Sequence, residues 1–210
     1  MTMTYNSLVA QVMDYLNRTD ADTLAEVANF IYQAEQRICR ESKNIGLEVY
    51  VTGNFTPNVA VMAKPARWRR NISFNYGNGA GSNVFNPITL RTYEFIRNYW
   101  PNQSLTSPPM FYADYGYSNL VIAPTPDLSY PFEYVYLELP IPIGPALQTN
   151  WLTNYAPDVL LYATLLEAVS FLQNDERIPT WEKYYQKGID SLNSQDDQRV
   201  LDRQSNRASD

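Results

Sequence analysis

Between Val159 and Leu172 the chain reads Val-Leu-Leu-Tyr-Ala-Thr-Leu-Leu-Glu-Ala-Val-Ser-Phe-Leu, an apolar run broken only by Thr164, Glu167 and Ser170. A surface helix carries its apolar residues on one stripe, whereas a helix apolar nearly all round must be enclosed on every side. The run falls short of the roughly 20 residues that cross a bilayer, so the enclosure has to be protein. Either the rest of the chain surrounds this helix or neighbouring copies do.

The flanks set its limits. Asn154 can cap the amino end, Pro157 is tolerated in a first turn, and Asp158 complements the helix dipole. Asn174 can close the carboxyl end in the left-handed conformation, with Asp175 starting a turn. A second helix opens near Pro179, its apolar positions Ile178, Trp181, Tyr185, Gly188 or Ile189 and Leu192 stepping by three and four. The two form a helical hairpin, the first member buried and the second covering it. Trp151, Leu161, Leu165, Trp181 and Tyr185 are the expected helical core and subunit-packing residues. Glu167 joins them as a buried acid expected to pair with Arg37, Arg40 or Arg177, because an unpaired carboxylate there is costly to ionise.

At the amino end, Tyr5, Leu8, Val9, Val12, Met13 and Leu16 keep helical spacing behind a Thr4 cap. A longer helix runs from about Asp22 to Arg40 with the seam Leu24, Val27, Ile31, Ala34 and Ile38, flanked by Phe30 and Cys39. From about Leu47 the period changes to strand alternation. Strands are expected at 47–52, 55–61 and 71–76, then at 110–115, 119–123 and 132–139 as an antiparallel meander, with a short helix over 92–100. The glycines of Asn75–Asn83 lack a following Gly-Lys-Ser/Thr and a helix start, so they read as a loop rather than a phosphate cradle. Pro140-Ile141-Pro142-Ile143-Gly144-Pro145 cannot continue a sheet interior and leads back to the helices.

The organisation expected is therefore α+β: a helical bundle built from amino-terminal and carboxyl-terminal helix pairs (1–44 and 146–195), with an inserted antiparallel β lobe (45–145). The last segment, 196–210, is nearly devoid of apolar anchors apart from Val200 and Leu201. Arg199, Arg203 and Arg207 are spaced four apart, on one side of any helix the tail forms, so it reads either as a solvated tail or as a segment that folds on a partner.

Composition removes several function classes. Histidine is absent, which takes away His-based triads, His-ligated zinc and the commonest general base. Neither a cofactor nor a metal site is expected. Cys39 is the only cysteine, so an intrachain disulfide is excluded, which fits a reducing cytoplasm. The opening residues show no signal peptide pattern. A net charge of −6 argues against general nucleic-acid binding, although an acidic wall suits a passage through which DNA slides without sticking. Lys64-Pro65-Ala66-Arg67-Trp68-Arg69-Arg70 is the one dense basic stretch, open to three readings: a solvated face, salt bridges to a neighbouring subunit, or phosphate contact. The 17 tyrosines suit either a half-exposed sheet or an interface.

Several strings resemble those of the head-to-tail adaptor proteins of tailed bacteriophages, the connector or tail tubular protein A-like family. They are Tyr5-Asn6-x-Leu8-Val9, Asn17-Arg18-Thr19-Asp20, Ala34-Glu35-x-Arg37-Ile38, Leu120-x-Ile122-Ala123-Pro124-x-Pro126, Thr149-Asn150-Trp151-Leu152, Ala156-Pro157-Asp158 and Trp181-Glu182-x-x-Tyr185. The resemblance implies a non-enzymatic virion protein at the head–tail interface, assembled in the host cytoplasm as a homo-oligomeric ring of twelve copies. Its partners would be the portal protein, reached through carboxyl-terminal helical residues such as Arg199, Val200, Arg203 and Arg207, and tail nozzle or tail-fibre proteins. Genomic DNA would pass through the lumen, and no membrane would be involved. Two other classes stay open: a carboxylate-based cell-wall glycan hydrolase, and a Tyr-rich protein-binding module.

Overall fold

The computed structural model describes residues 2–42, 47–79, 84–169, 171 and 176–205. The chain divides into two compact units, Met1–Gly46 with Pro140–Asp210, and Leu47–Leu139. Among the described residues there are six helices and eight strands in two sheets.

The first unit holds α1 (Tyr5–Leu16), α2 (Ala21–Glu41), α4 (Trp151–Tyr155), α5 (Pro157–Ala168) and α6 (Ile178–Ser205). Thr4 caps α1 in a reciprocal pair with Ser7, and Asn17 ends it in the left-handed conformation (φ 52°). Asp20 caps α2 by accepting from Thr23 N–H at 2.9 Å. α5 is the enclosed helix that its composition demands: Leu160, Ala163, Leu165 and Ala168 are fully buried.

The expected pairing of helices is incorrect. The helices do not form an amino-terminal and a carboxyl-terminal pair; α5 is instead packed by α1, α2, α4 and α6, and α3 lies outside this unit altogether. A helix without a polar side leaves one face open in any pairwise arrangement, so it collects neighbours all round. The run also begins differently. Asn150, not Asn154, is the cap, and it starts the separate short helix α4; Ala156 precedes α5 without a side-chain cap, with Pro157 in its first turn. α5 ends at Ala168, and the expected Asn174 cap lies outside the described residues. On α2, Leu24 is 51% exposed while Phe30 and Glu35 are buried, so the packed seam is rotated from the one the spacing suggested. With no Gly or Pro after Gly188 to stop it, α6 runs on to Ser205.

The second unit is a pair of four-stranded sheets. One has the order β1 (Leu47–Asn54), β8 (Pro131–Glu138), β3 (Trp68–Gly77), β4 (Phe85–Pro87) and is antiparallel throughout. The other has the order β2 (Val61–Ala63), β7 (Asn119–Ala123), β6 (Phe111–Tyr115), β5 (Thr89–Leu90), with β5 and β6 parallel. The expected single meander is thus also corrected: β6 and β7 form a hairpin, but β8 crosses to the other sheet and lies between β1 and β3. Pro124 and Pro126 have no N–H to extend the β7 ladder, which stops at Ala123. A strand over 55–61 does not form either; Pro57 and the left-handed Asn58 (φ 63°) turn the chain before β2 begins.

Phe55, Phe74, Tyr112, Leu120, Ile122, Tyr134 and their neighbours share one core between the sheets. Behind the second sheet, α3 (Tyr93–Tyr99), capped by Thr92, places Ile96 against Ala113, Val121 and Ala123. That double cover explains why Leu120-Val121-Ile122-Ala123 is apolar without alternation. β1 pairs with β8 from Leu47 opposite Glu138 to Asn54 opposite Pro131, without a shift of register.

One contact in the helical unit is decided by the absence of a side chain. A Cβ added at Gly188 of α6 would lie 2.7 Å from Cγ2 of Val159 on α5. Alanine raises helix propensity by about 1 kcal/mol over glycine, but overpacking against a stiff β-branched neighbour costs about 1–3 kcal/mol. Gly188→Ala should therefore be net destabilising, seen as a lower denaturant midpoint at unchanged slope.

Candidate functional site

The chain returns from the β unit into the helical unit through Pro140–Gln148, a segment held at both ends. Tyr5 N–H donates to the Gln148 carbonyl at 2.7 Å, and Asn6 N–H donates to Gln148 Oε1 at 3.1 Å, tying the segment to the start of α1. On α2, Glu35 Oε1 accepts from Ile143 N–H at 3.2 Å and from Asn150 Nδ2 at 2.7 Å; the Asn150 amide also donates to the Ile141 carbonyl at 2.9 Å. Because Asn150 Oδ1 caps α4, one carboxylate fixes both the strap and the start of that helix.

Glu35 is 3% exposed, and its second oxygen, Oε2, has no hydrogen-bond partner. Burial pushes the carboxyl up from its ordinary value of 4.5 to about 7, opposed by the donors on Ile143 and Asn150. The buried acid is thus Glu35, not Glu167. The signal in the sequence was its place four residues after Ile31 and three before Ile38, which puts it inside the packed arc of α2.

A second polar node joins α2, α5 and α6. Arg37 Nε donates to Glu41 Oε1 at 2.9 Å, Arg37 Nη1 donates to Glu167 Oε1 at 3.4 Å, and the Arg37 guanidinium lies 4.8 Å from the Tyr185 ring centroid. Tyr185, 1% exposed, donates its hydroxyl to Glu41 Oε2 at 2.6 Å. Of the residues expected in the helical core, Leu161, Leu165, Trp181 and Tyr185 are buried. Trp151 is half-buried on α4, 5.6 Å from Tyr155, and Glu167 is half-buried beside Arg37. Arg177 reaches the Tyr15 carbonyl at 2.5 Å and lies over the Trp181 ring, linking the start of α6 to the end of α1. The backbone of Arg199, Val200 and Arg203 is part of α6; Arg207 lies outside the described residues.

In the β unit a cavity of about 660 Å³ is lined by Lys64, Arg67, Trp68, Asp114 and Tyr117. Lys64 Nζ pairs with Asp114 at 2.7 Å, donates to the Gly116 and Tyr117 carbonyls and lies 4.1 Å from the Trp68 ring, while Arg67 pairs with Glu138. Two-carboxylate hydrolysis requires acids flanking the bond to be cut, and Asp114, the one acid on the cavity wall, is held by Lys64. Among the described residues, no helix is long and apolar enough to cross a membrane, and no cluster of three or more His, Cys, Asp or Glu could hold a metal.

Two outcomes test these nodes. The folded chain holds the Glu35 proton more tightly than the unfolded chain, so this group's contribution is intact below about pH 4.5. It is lost as pH rises through about 7, by on the order of 3 kcal/mol. Relative to the native chain, Glu35→Gln should gain stability from pH 5 to pH 8 in denaturant titrations; parallel curves would show that Glu35 does not titrate in that window. Tyr185→Phe, which removes one donor from Glu41 Oε2 and leaves the Arg37 pair on Oε1 in place, should cost about 0.5–1.5 kcal/mol in the same measurement at pH 7.

Residues 3–208 match the family model described as SU10 adaptor protein. A search of curated proteins finds no match.

Proposed function

The chain belongs to the SU10 adaptor protein family, a phage head-to-tail adaptor family, and from that premise we propose that it forms a ring of copies beneath the portal and joins it to the tail. Membership makes it a virion component of a structural, adaptor kind. The finer reading gives α6 the portal contact, lateral contacts the ring diameter, and the lumen the passage of DNA.

The observation that carries this reading is the length of α6. The last α6 residue in the described core is Leu192, yet the helix continues to Ser205, about 20 Å further at 1.5 Å per residue. A helix that runs on past the last residue of the described core is suited to a groove on another protein. Arg199 and Arg203 are four apart on it, and Arg207 continues the same spacing in the sequence. Ordering such a segment costs entropy that a partner offsets, so the portal can act as the template on which copies assemble. The net charge of −6 suits a lumen wall that repels a polyanion.

Deleting Ser194–Asp210 should abolish capture by purified portal protein while leaving the thermal unfolding midpoint of the remainder unchanged. Negative-stain images of the full chain with portal should show a ring of fixed symmetry. Retained capture by the truncated chain would reject the role of α6, and the lack of any ring would reject the assembly.

A further inference from the structure

The charge of this chain is unevenly placed. The helical unit carries ten Lys and Arg against sixteen Asp and Glu, whereas the β unit carries six of each. Within the β unit, Lys64 and Arg67 are neutralised by Asp114 and Glu138. Arg91 makes no ion pair among the described residues. Its guanidinium rests instead on rings, 5.4 Å from the Phe95 centroid and 5.8 Å from that of Phe111.

Those rings form an exposed platform. On α3, Phe95 stacks on Tyr99 at 5.9 Å, and both meet Phe111 of β6 edge-on at 5.2 and 5.0 Å; the Tyr99 hydroxyl reaches Met110 Sδ at 3.7 Å. Phe95, Tyr99 and Met110 remain 38%, 43% and 49% exposed. Stacked aromatics crowned by an arginine are the residue types that dominate binding energy in protein interfaces.

The helical unit offers the complement. On the outward side of α2, Leu24, Ala28 and Tyr32 follow at intervals of four, all exposed, and Asp22 and Glu26 stand beside them without an ion pair among the described residues. This surface is apolar along a stripe and acidic at its margin, matching an apolar platform with a cationic crown.

We infer that the Arg91–Phe95–Tyr99–Phe111 face of one copy receives the α2 face of a second copy, with Arg91 set against Asp22 and Glu26. The contact joins two different surfaces. Repeated from copy to copy it is heterologous, and it closes into a ring when the rotation permits. It rests on the proposed self-assembly, naming the lateral surfaces.

The test uses the full chain with Phe95 replaced by the photoreactive p-benzoylphenylalanine, irradiated alone and with portal protein. A covalent link from position 95 to the segment Thr19–Arg37 of another copy, in either mixture and located by peptide mass spectrometry, is the expected result. Arg91→Glu should lower its yield about tenfold, and adding Asp22→Arg and Glu26→Arg should restore it, since like charges across an interface repel. No link in either mixture, a link to another part of a copy or to the portal itself, or a charge swap without rescue would each overturn the inference. If the link forms while the portal captures no chain, the adaptor reading fails and this contact stands; if rings form on the portal without the link, the contact fails and the adaptor reading stands.

Discussion

The helical unit depends on the enclosure of one helix. Because α5 has apolar residues on every side, no arrangement of one or two partners satisfies it, and four other helices take positions around it. Small residues regulate how closely they approach: Ala163 and Ala168 are fully buried, and Gly188 lets α6 lie against Val159. Polar groups then decide which arrangement is adopted, since apolar contact alone is not directional. Arg37, Glu41, Glu167 and Tyr185 connect three helices through geometry that a slid or rotated helix would not reproduce.

The strap at Pro140–Gln148 shows the same division of labour. Its prolines keep it out of a sheet, and its attachment comes from hydrogen bonds to α1 and to Glu35 rather than from burial alone. Holding an ionised acid with one oxygen unpartnered is costly, and burial raises the Glu35 carboxyl in the same direction, toward its neutral form. The strap is also the covalent route from β8 to α4, and its fixation joins the two passages of the chain through the helical unit.

What could be read from the residues was whatever had a strong local period. Thr4 as a cap, the all-round apolarity of α5, the α6 spacing through Leu192 and the strand alternation after Leu47 depend on neighbours within a few positions. The failures involve distant ones. Leu24 has the spacing of a seam residue, but Phe30 takes its place; Glu167 sits in the more apolar run, but Glu35 is the buried acid; β8 follows β7 closely in the chain, but its partners are β1 and β3. Short edge strands such as β4 and β5 have too few residues to show a period at all. For the candidate sites, the residue types were visible but their companions were not. Arg91 and Phe95 carry no motif, and only α3 folded against β6 brings them to one platform.

The β1–β8 pairing has an architectural meaning. Leu47 and Glu138 face each other across the ladder, at about 5 Å between Cα atoms, so the insertion leaves and re-enters at nearly one point. To the helical framework everything between them is equivalent to a tight hairpin. Lengthening or exchanging that module alters no end-to-end spacing the helices must accommodate, and the entropy of closing the excursion is met by its own first and last strands. A lineage could thus remodel the whole module, and with it the surfaces it offers, while the framework around α5 stays as it is.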